Sequence, residues 1–247
     1  MNRILFEPDE IADGVATFGG ERARHVLDVL HGEVGQILKT GVVDGRIGTS
    51  EIVEIGGTAA EPVLRAKVTH DADALPPWVD LVLAPPRPRV MKRLLPQLAA
   101  LGVGRIFLVG AKKVEKDFWG ATLLKPENYR PLLIDGLMQA GTSALPTLEI
   151  RRNFRRFVTD ELDALAPAAP RIVAHPYGAE GRPAAAGACA ADPRGRLLLA
   201  IGPEGGWTDD EVALLEAHGF RRRSLGARIL RTDTATVALL AQLMQGT

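Results

Sequence analysis

The sequence predicts an α/β protein in two parts, a small β-barrel over residues 1–72 and a parallel sheet covered by helices over 73–247. Three observations predict it. The first 70 or so residues hold short β-type runs broken by glycine; beyond a linker at 71–77, Asp-Ala-Asp-Ala-Leu-Pro-Pro, apolar strand-length runs alternate with helical ones. With 46% hydrophobic and 24% charged residues among 247, the chain can bury a sizeable core.

In the first part the runs 3–6, 14–18, 36–40, 46–55 and 63–68 read as strands. A helical patch at 21–30, with Val26, Leu27, Val29 and Leu30 apolar, should stop at His31-Gly32, the glycine acting as terminator. His25 and His31 lack metal-ligand spacing and are expected at the surface or in caps; no metal site is predicted anywhere in the chain. In the second part strands are expected at 78–84, 105–109, 171–175, 196–201 and 222–225, and helices at 90–101, 127–140, 209–218 and 234–244. Such alternation implies parallel strands with helical crossovers on both faces, and ligands then bind at the carboxyl ends of the strands. The Ala-, Gly- and Pro-rich stretches 164–170 and 178–193 read as surface loops.

Charge separates the two parts. Residues 1–74 carry 7 basic and 13 acidic side chains and the remainder 23 and 17, so a neutral chain has a basic C-terminal part. Its cations cluster as Arg87, Arg89, Lys92 and Arg93, as Arg151, Arg152, Arg155 and Arg156, and as Arg221 to Arg223, which suits either a polyanionic partner or a solvated surface. Apolar runs are far shorter than the roughly 20 residues of a membrane span, and the N-terminus lacks the apolar core of a secretory signal, so a cytoplasmic protein without a membrane partner is expected. The single cysteine, Cys189, cannot form an internal disulfide and is read as inert.

Two segments carry chemistry. In the first, 197–211, an apolar strand runs into Gly202-Pro-Glu-Gly-Gly206, and Thr208 with Glu211 forms a capping box for the next helix. It has neither the Lys-Ser/Thr of a phosphate-binding Walker loop nor the G-x-G-x-x-G of dinucleotide folds; alone it is equally a tight strand-to-helix turn. In the second, 224–235, the apolar Leu225, Ile229 and Leu230 are flanked by Arg228 and Arg231 in an expected loop; they pack either on the core or along an adenine-sized slot.

Together, Gly202-Pro-Glu-Gly-Gly206 and Leu225-Gly-Ala-Arg-Ile-Leu-Arg-Thr-Asp-Thr-Ala235, in this order and spacing, closely resemble the two C-terminal motifs of the ribosomal RNA small subunit methyltransferase E family, which methylates N3 of a uridine in 16S rRNA. The likeness extends to His25 to Leu30 in a PUA-like barrel and to Leu101 to Val103 at a helix end. The resemblance implies a SPOUT domain tied in a trefoil knot, S-adenosylmethionine as cofactor, 16S rRNA or the 30S subunit as substrate, and a homodimer. It places Leu199, Ile201, Gly202, Gly205 and Gly206 on one cofactor-binding segment, and Leu225, Gly226, Ile229, Leu230 and Thr232 on the other. Arg87, Arg89, Lys92, Arg93 and Gln139 are the candidate RNA contacts.

For N-methylation the uracil N3 proton must leave, so a carboxylate, Glu204 or Asp233, is expected to accept it while Arg231 stabilises the uracil anion. Each carboxylate has another reading: Glu204 as an acid bonded to helix-start amides, Asp233 as the cap of the last helix. The chain departs from the family where an expected Glu-Gln-x-x-Arg reads Met138-Gln139-Ala-Gly-Thr142, where Lys-Ala-Thr-Glu-Leu-Gly-Val begins at Gln97 as Gln-Leu-Ala-Ala-Leu-Gly-Val, where Val-Leu-Arg ends in His31, and where the last-motif glutamate is Asp233. Two other readings are a cofactor- and RNA-binding paralogue with little or no catalysis and a nucleotide-binding α/β enzyme that does not methylate.

Overall fold

The computed structural model describes residues 2–167, 169–176 and 196–244; Cys189 and the expected loop at 178–193 lie outside them. The chain divides into two compact units, Met1–Pro76 with Ile134–Leu145, and Pro77–Leu133 with Pro146–Thr247.

The first unit is built on strands β1 (Ile4–Phe6), β2 (Ile11–Ala12), β3 (Val15–Phe18), β4 (Ile37–Val42), β5 (Ile47–Gly57) and β6 (Pro62–Ala72), in the order β1-β4-β5-β6-β3-β2. All neighbours are antiparallel except β1 and β4. Alternation decides the face: Pro62, Leu64 and Ala66 of β6 point inward between exposed neighbours, and Ser50 and Ile52 do so in β5. Phe6, Phe18, Val26, Ile52 and Leu64 fill the core, with the Phe6 and Phe18 rings 5.2 Å apart.

The patch expected to be helical forms α1 (Gly20–Arg24) and a π-turn at His25–Val29. Its end differs from expectation. His31 takes the left-handed conformation at φ 50°, while Gly32 is needed for closeness, because a Cβ there would lie 2.5 Å from Val26 Cγ1. His25 is half-buried rather than a surface residue, with Nε2 sealed from solvent. Asp71 and Ala72, expected in the linker, continue β6.

The second unit holds β7 (Val79–Leu83), α2 (Pro88–Ala100), β8 (Val103–Val109), the start of α3 (Pro126–Ala140), β9 (Thr147–Arg151), α4 (Phe154–Arg156), α5 (Leu162–Leu165), β10 (Arg171–Ala174), β11 (Leu197–Ile201), α6 (Asp209–Ala217), β12 (Arg221–Arg223) and α7 (Thr232–Met244). Its six strands lie in the order β12-β10-β11-β7-β8-β9, every pair parallel. Every residue of β7 and β11 is buried, as central strands covered on both faces must be. Val82, Phe107, Leu198 and Ala200 face a layer made by Phe154, Phe157, Leu162, Val212 and Leu215. Their alternates face the other way, where α2 packs on β8 and α7. Strand β9 and helices α4 and α5 were not expected from the sequence.

A buried acid ties this sheet together. Asp80 in β7 is 2% exposed, and its carboxylate accepts from the Arg105 main-chain N–H and Nε, both at 2.8 Å, and from Arg196 Nη1 at 2.9 Å.

Candidate functional site

Because all six strands run the same way, their carboxyl ends share one edge of the sheet. The segments that follow β10, β11 and β12 there line a cavity of about 440 Å³. The turn after β11 is tight: a Cβ on Gly202 would lie 3.0 Å from the Trp207 nitrogen and 3.2 Å from the Gly206 carbonyl carbon, so a side chain there would crowd the backbone where the chain folds back on itself. The turn ends in the expected capping box, with the Glu211 N–H reaching Thr208 Oγ1 and the Thr208 N–H donating to Glu211 Oε2 at 2.8 Å. The segment after β12 bends at Gly226, whose φ of 110° is closed to residues with a side chain.

The fold thus brings the two sequence motifs to one place. Ile201, Gly202, Glu204, Gly205, Gly206, Leu225, Gly226, Ile229, Leu230 and Thr232 all line the cavity. Leu199 does not: it is fully buried inside β11, on the same face as Ile201 but deeper in the core. Arg231 and Asp233 are also absent from the lining. Asp233 accepts from Arg93 Nη2 at 3.0 Å and from the Thr234 N–H at 3.0 Å, and Arg231 Nε lies 3.6 Å away. Burial pushes the Asp233 carboxyl up, but the Thr234 amide, Arg93 and Arg231 outweigh it and hold its pKa below the ordinary value. Glu204 Oε1 accepts the Arg87 N–H at 2.9 Å, so it does bond a helix-start amide, that of α2 rather than α6.

Among the expected RNA contacts, Arg87, Arg89, Lys92 and Arg93 are exposed at the start of α2. Arg87 pairs with Glu115 at 2.9 Å and Arg93 with Asp233, whereas no described acid pairs with Arg89 or Lys92. Gln139 is exposed in the first unit, where its carbonyl accepts from Asn2 Nδ2 at 2.6 Å.

Lys113, His175, Pro176 and Trp207 are among the lining residues that the sequence did not single out. Lys113 Nζ donates to the Gly205 carbonyl at 2.7 Å. His175 Nδ1 and Trp207 Nε1 are buried with no hydrogen-bond partner among the described residues, a costly state for polar groups and one that a ligand bearing polar atoms would relieve. Burial, then the nearby Arg222, keeps the His175 pKa low despite Asp209 and Glu216. Its place at the end of a predicted strand was a signal that could have found it. Apolar Leu225, Ile229, Leu230 and Leu239 beside these polar atoms suit a ligand with a flat heterocycle and a polar chain, as S-adenosylmethionine has.

The RNA methyltransferase domain family matches residues 73–244. A ribosomal RNA small subunit methyltransferase E of Treponema pallidum is 33% identical over 98% of this chain and 90% of its own length. A Legionella pneumophila protein solved with the bound cofactor SAM is 26% identical, with TM-score 0.75 over 99% of this chain and 97% of its own. A ribosomal RNA small subunit methyltransferase E of Neisseria gonorrhoeae, solved with S-adenosyl methionine, shares the fold at 19% identity, with TM-score 0.71 over 99% and 97% of the two chains. With the matched domain spanning most of the chain and the Treponema likeness running its full length, the chain belongs to the ribosomal RNA small subunit methyltransferase E family.

Proposed function

We propose that this protein methylates 16S ribosomal RNA with S-adenosylmethionine, at N3 of a uridine. One observation carries the proposal: the two glycine-bearing segments that define the family line a single cavity at the carboxyl ends of the parallel strands. The cofactor carried by the Legionella relative supports S-adenosylmethionine as its occupant. When bound, that cofactor supplies an electrophilic methyl group on a sulfonium.

The protein's own groups then have three tasks. Gly202, Gly205, Gly206, Leu225, Gly226, Ile229, Leu230 and Thr232 hold the cofactor, with Ile201 at the floor. The uracil N3–H proton goes to Glu204, which lines the cavity and has one carboxylate oxygen engaged by the Arg87 amide. Asp233, stabilised as the anion by its neighbours, is a weak base and serves to orient Arg231, which stabilises the negative charge developing on the uracil ring. Arg89 and Lys92, exposed and without an acid partner among the described residues, contact RNA phosphates with Arg87 and Arg93 beside them; Gln139 is an RNA contact of the other unit.

Several family features accompany this reading. The strand order β12-β10-β11-β7, with α7 packed on α2, suits a knotted SPOUT domain over residues 73–247. The six-stranded unit suits a PUA-like RNA-binding barrel over 1–72. Ile229, apolar and 97% exposed, suits a homodimer whose partner subunit covers it. No helix among the described residues is long and apolar enough to cross a membrane, and a ribosomal substrate supports the reading of a cytoplasmic protein.

Radiolabelled methyl transfer to 30S subunits carrying unmodified 16S rRNA tests the proposal, and the nucleoside formed, identified by mass spectrometry, must be 3-methyluridine. Glu204→Gln, which can still accept the Arg87 amide, should lower kcat by about 100-fold or more, in the range of a lost general base. Arg231→Ala should lower kcat with little change in cofactor affinity. Near-normal turnover in both variants, with saturating RNA and cofactor, would overturn these roles.

A further inference from the structure

A second cavity, about 500 Å³, opens at the same edge of the sheet beyond the ends of β8 and β9. It is a neighbour of the first: Lys112 and Thr208 line it, while the adjoining Lys113 and Trp207 line the cofactor cavity. It also explains the second arginine cluster, which the methylation site leaves unused. Of those four residues, Arg151 is neutralised by Glu149 and Glu161, both at 2.7 Å, and Arg156 faces Asp160 at 4.0 Å. Arg152 and Arg155 are different. Both are exposed and line the cavity with Lys112, and none of these three cations pairs with an acid among the described residues.

Arg152 is held in place by the ring and carbonyl of Trp119, its guanidinium carbon 5.6 Å from the ring centre and Nη2 3.2 Å from the oxygen. Of the cavity's two acids, Glu211 is spent on main-chain amides of Lys112, at 2.7 Å, and Thr208, and only Asp210 opposes an anion. Resting on the reading of the chain as an rRNA methyltransferase, we propose that this cavity receives a backbone phosphate of the RNA strand next to the target nucleotide, held by Lys112, Arg152 and Arg155. A strand that delivers a base to the cofactor cavity carries its neighbouring phosphate past the adjacent opening. Three unpaired cations there neutralise it and release counterions, and a guanidinium already stacked on an aromatic ring loses little freedom on binding.

The test is the affinity of the full-length protein for 30S subunits with unmodified 16S rRNA, measured over a salt series, with cofactor affinity and methyl transfer as parallel readouts. Lys112→Ala/Arg155→Ala, which removes the two cations whose side chains have no hydrogen-bond or ion-pair partner among the described residues, should weaken RNA binding about tenfold and make the salt slope shallower by about 1 to 2. Cofactor affinity should stay unchanged. Asp210→Asn should do the reverse and tighten RNA binding, an outcome that damage to the fold cannot imitate. An unchanged salt slope in the double variant, or no tightening with Asp210→Asn, overturns the proposal. If the wild-type protein transfers no methyl group to these subunits, the underlying function falls and this assignment with it.

Discussion

At the scale of single residues, Asp80 shows how much depends on one carboxylate. It is 2% exposed in a central strand, yet three donors from Arg105 and Arg196 satisfy it. A buried charge so matched adds little net stability over an apolar residue, but losing it strands its partners. Asp80→Ala should therefore cost about 1 to 3 kcal/mol in urea unfolding, because the Arg105 main-chain N–H loses its partner while both guanidiniums keep part of their contact with solvent. A loss well under about 1 kcal/mol would mean that water takes the place of the carboxylate at that amide. The same scale limits what a sequence discloses about a site. Glu204 and Asp233 look alike as acids in motif loops, and only their surroundings separate them: Glu204 bonds one amide and faces the cavity, while Asp233 is clasped by two arginines and an amide.

At the scale of elements, the segments between strands and helices set the site. Gly226, at φ 110°, lets the second motif segment turn into the cavity. Gly226→Ala should lower cofactor affinity about tenfold by calorimetry, the effect of roughly 1 to 2 kcal/mol of backbone strain. Thr208 caps α6 through its hydroxyl. Thr208→Ala should cost about 1 kcal/mol of stability, readable as a lowered unfolding midpoint, whereas Thr208→Ser should retain most of it. Elements marked by a continuous apolar run, a helical period or a cap were legible in sequence: β7, α2, β11, α6 and α7 fall close to where run length, the alternation of strands with helices and capping place them. Edge strand β9 was not, because Thr-Leu-Glu-Ile-Arg reads as polar until Glu149 and Arg151 are seen paired beside Glu161. Helices α4 and α5, interrupted by a π-turn, are too short for a helical period to stand out.

At the scale of the whole molecule, stability should depend on pH in a direction set by two histidines and two carboxylates whose pKa values the fold lowers. Burial, then Arg3, lowers the His70 pKa against Asp71, and burial with Arg222 lowers that of His175. The folded protein thus favours both rings neutral. Their contribution is full above the ordinary histidine value of 6.5 and is lost as pH falls below it, through the lower folded values. Asp163, bonded chiefly by Arg171 and also by His218, and Asp233 have lowered pKa values; their contribution is full above 3.8 and is lost as pH falls further. The urea midpoint should accordingly fall from pH 7 to pH 5 and again below pH 4. A midpoint that rose between pH 7 and pH 5 would contradict the assignment for the histidines.

What the sequence by itself determined is the parallel α/β class, the motif segments and the family they mark, because periodicity, glycine placement and motif spacing are local properties of the chain. Only tertiary structure decided that Leu199 belongs to the core and not the cavity, that Lys113, His175 and Trp207 line it, and that two of four clustered arginines pair with acids while the other two have no acid partner among the described residues. Each of these depends on residues far apart in the chain. Burial and pairing are set by what the fold brings alongside a side chain, and neighbours in sequence do not encode that.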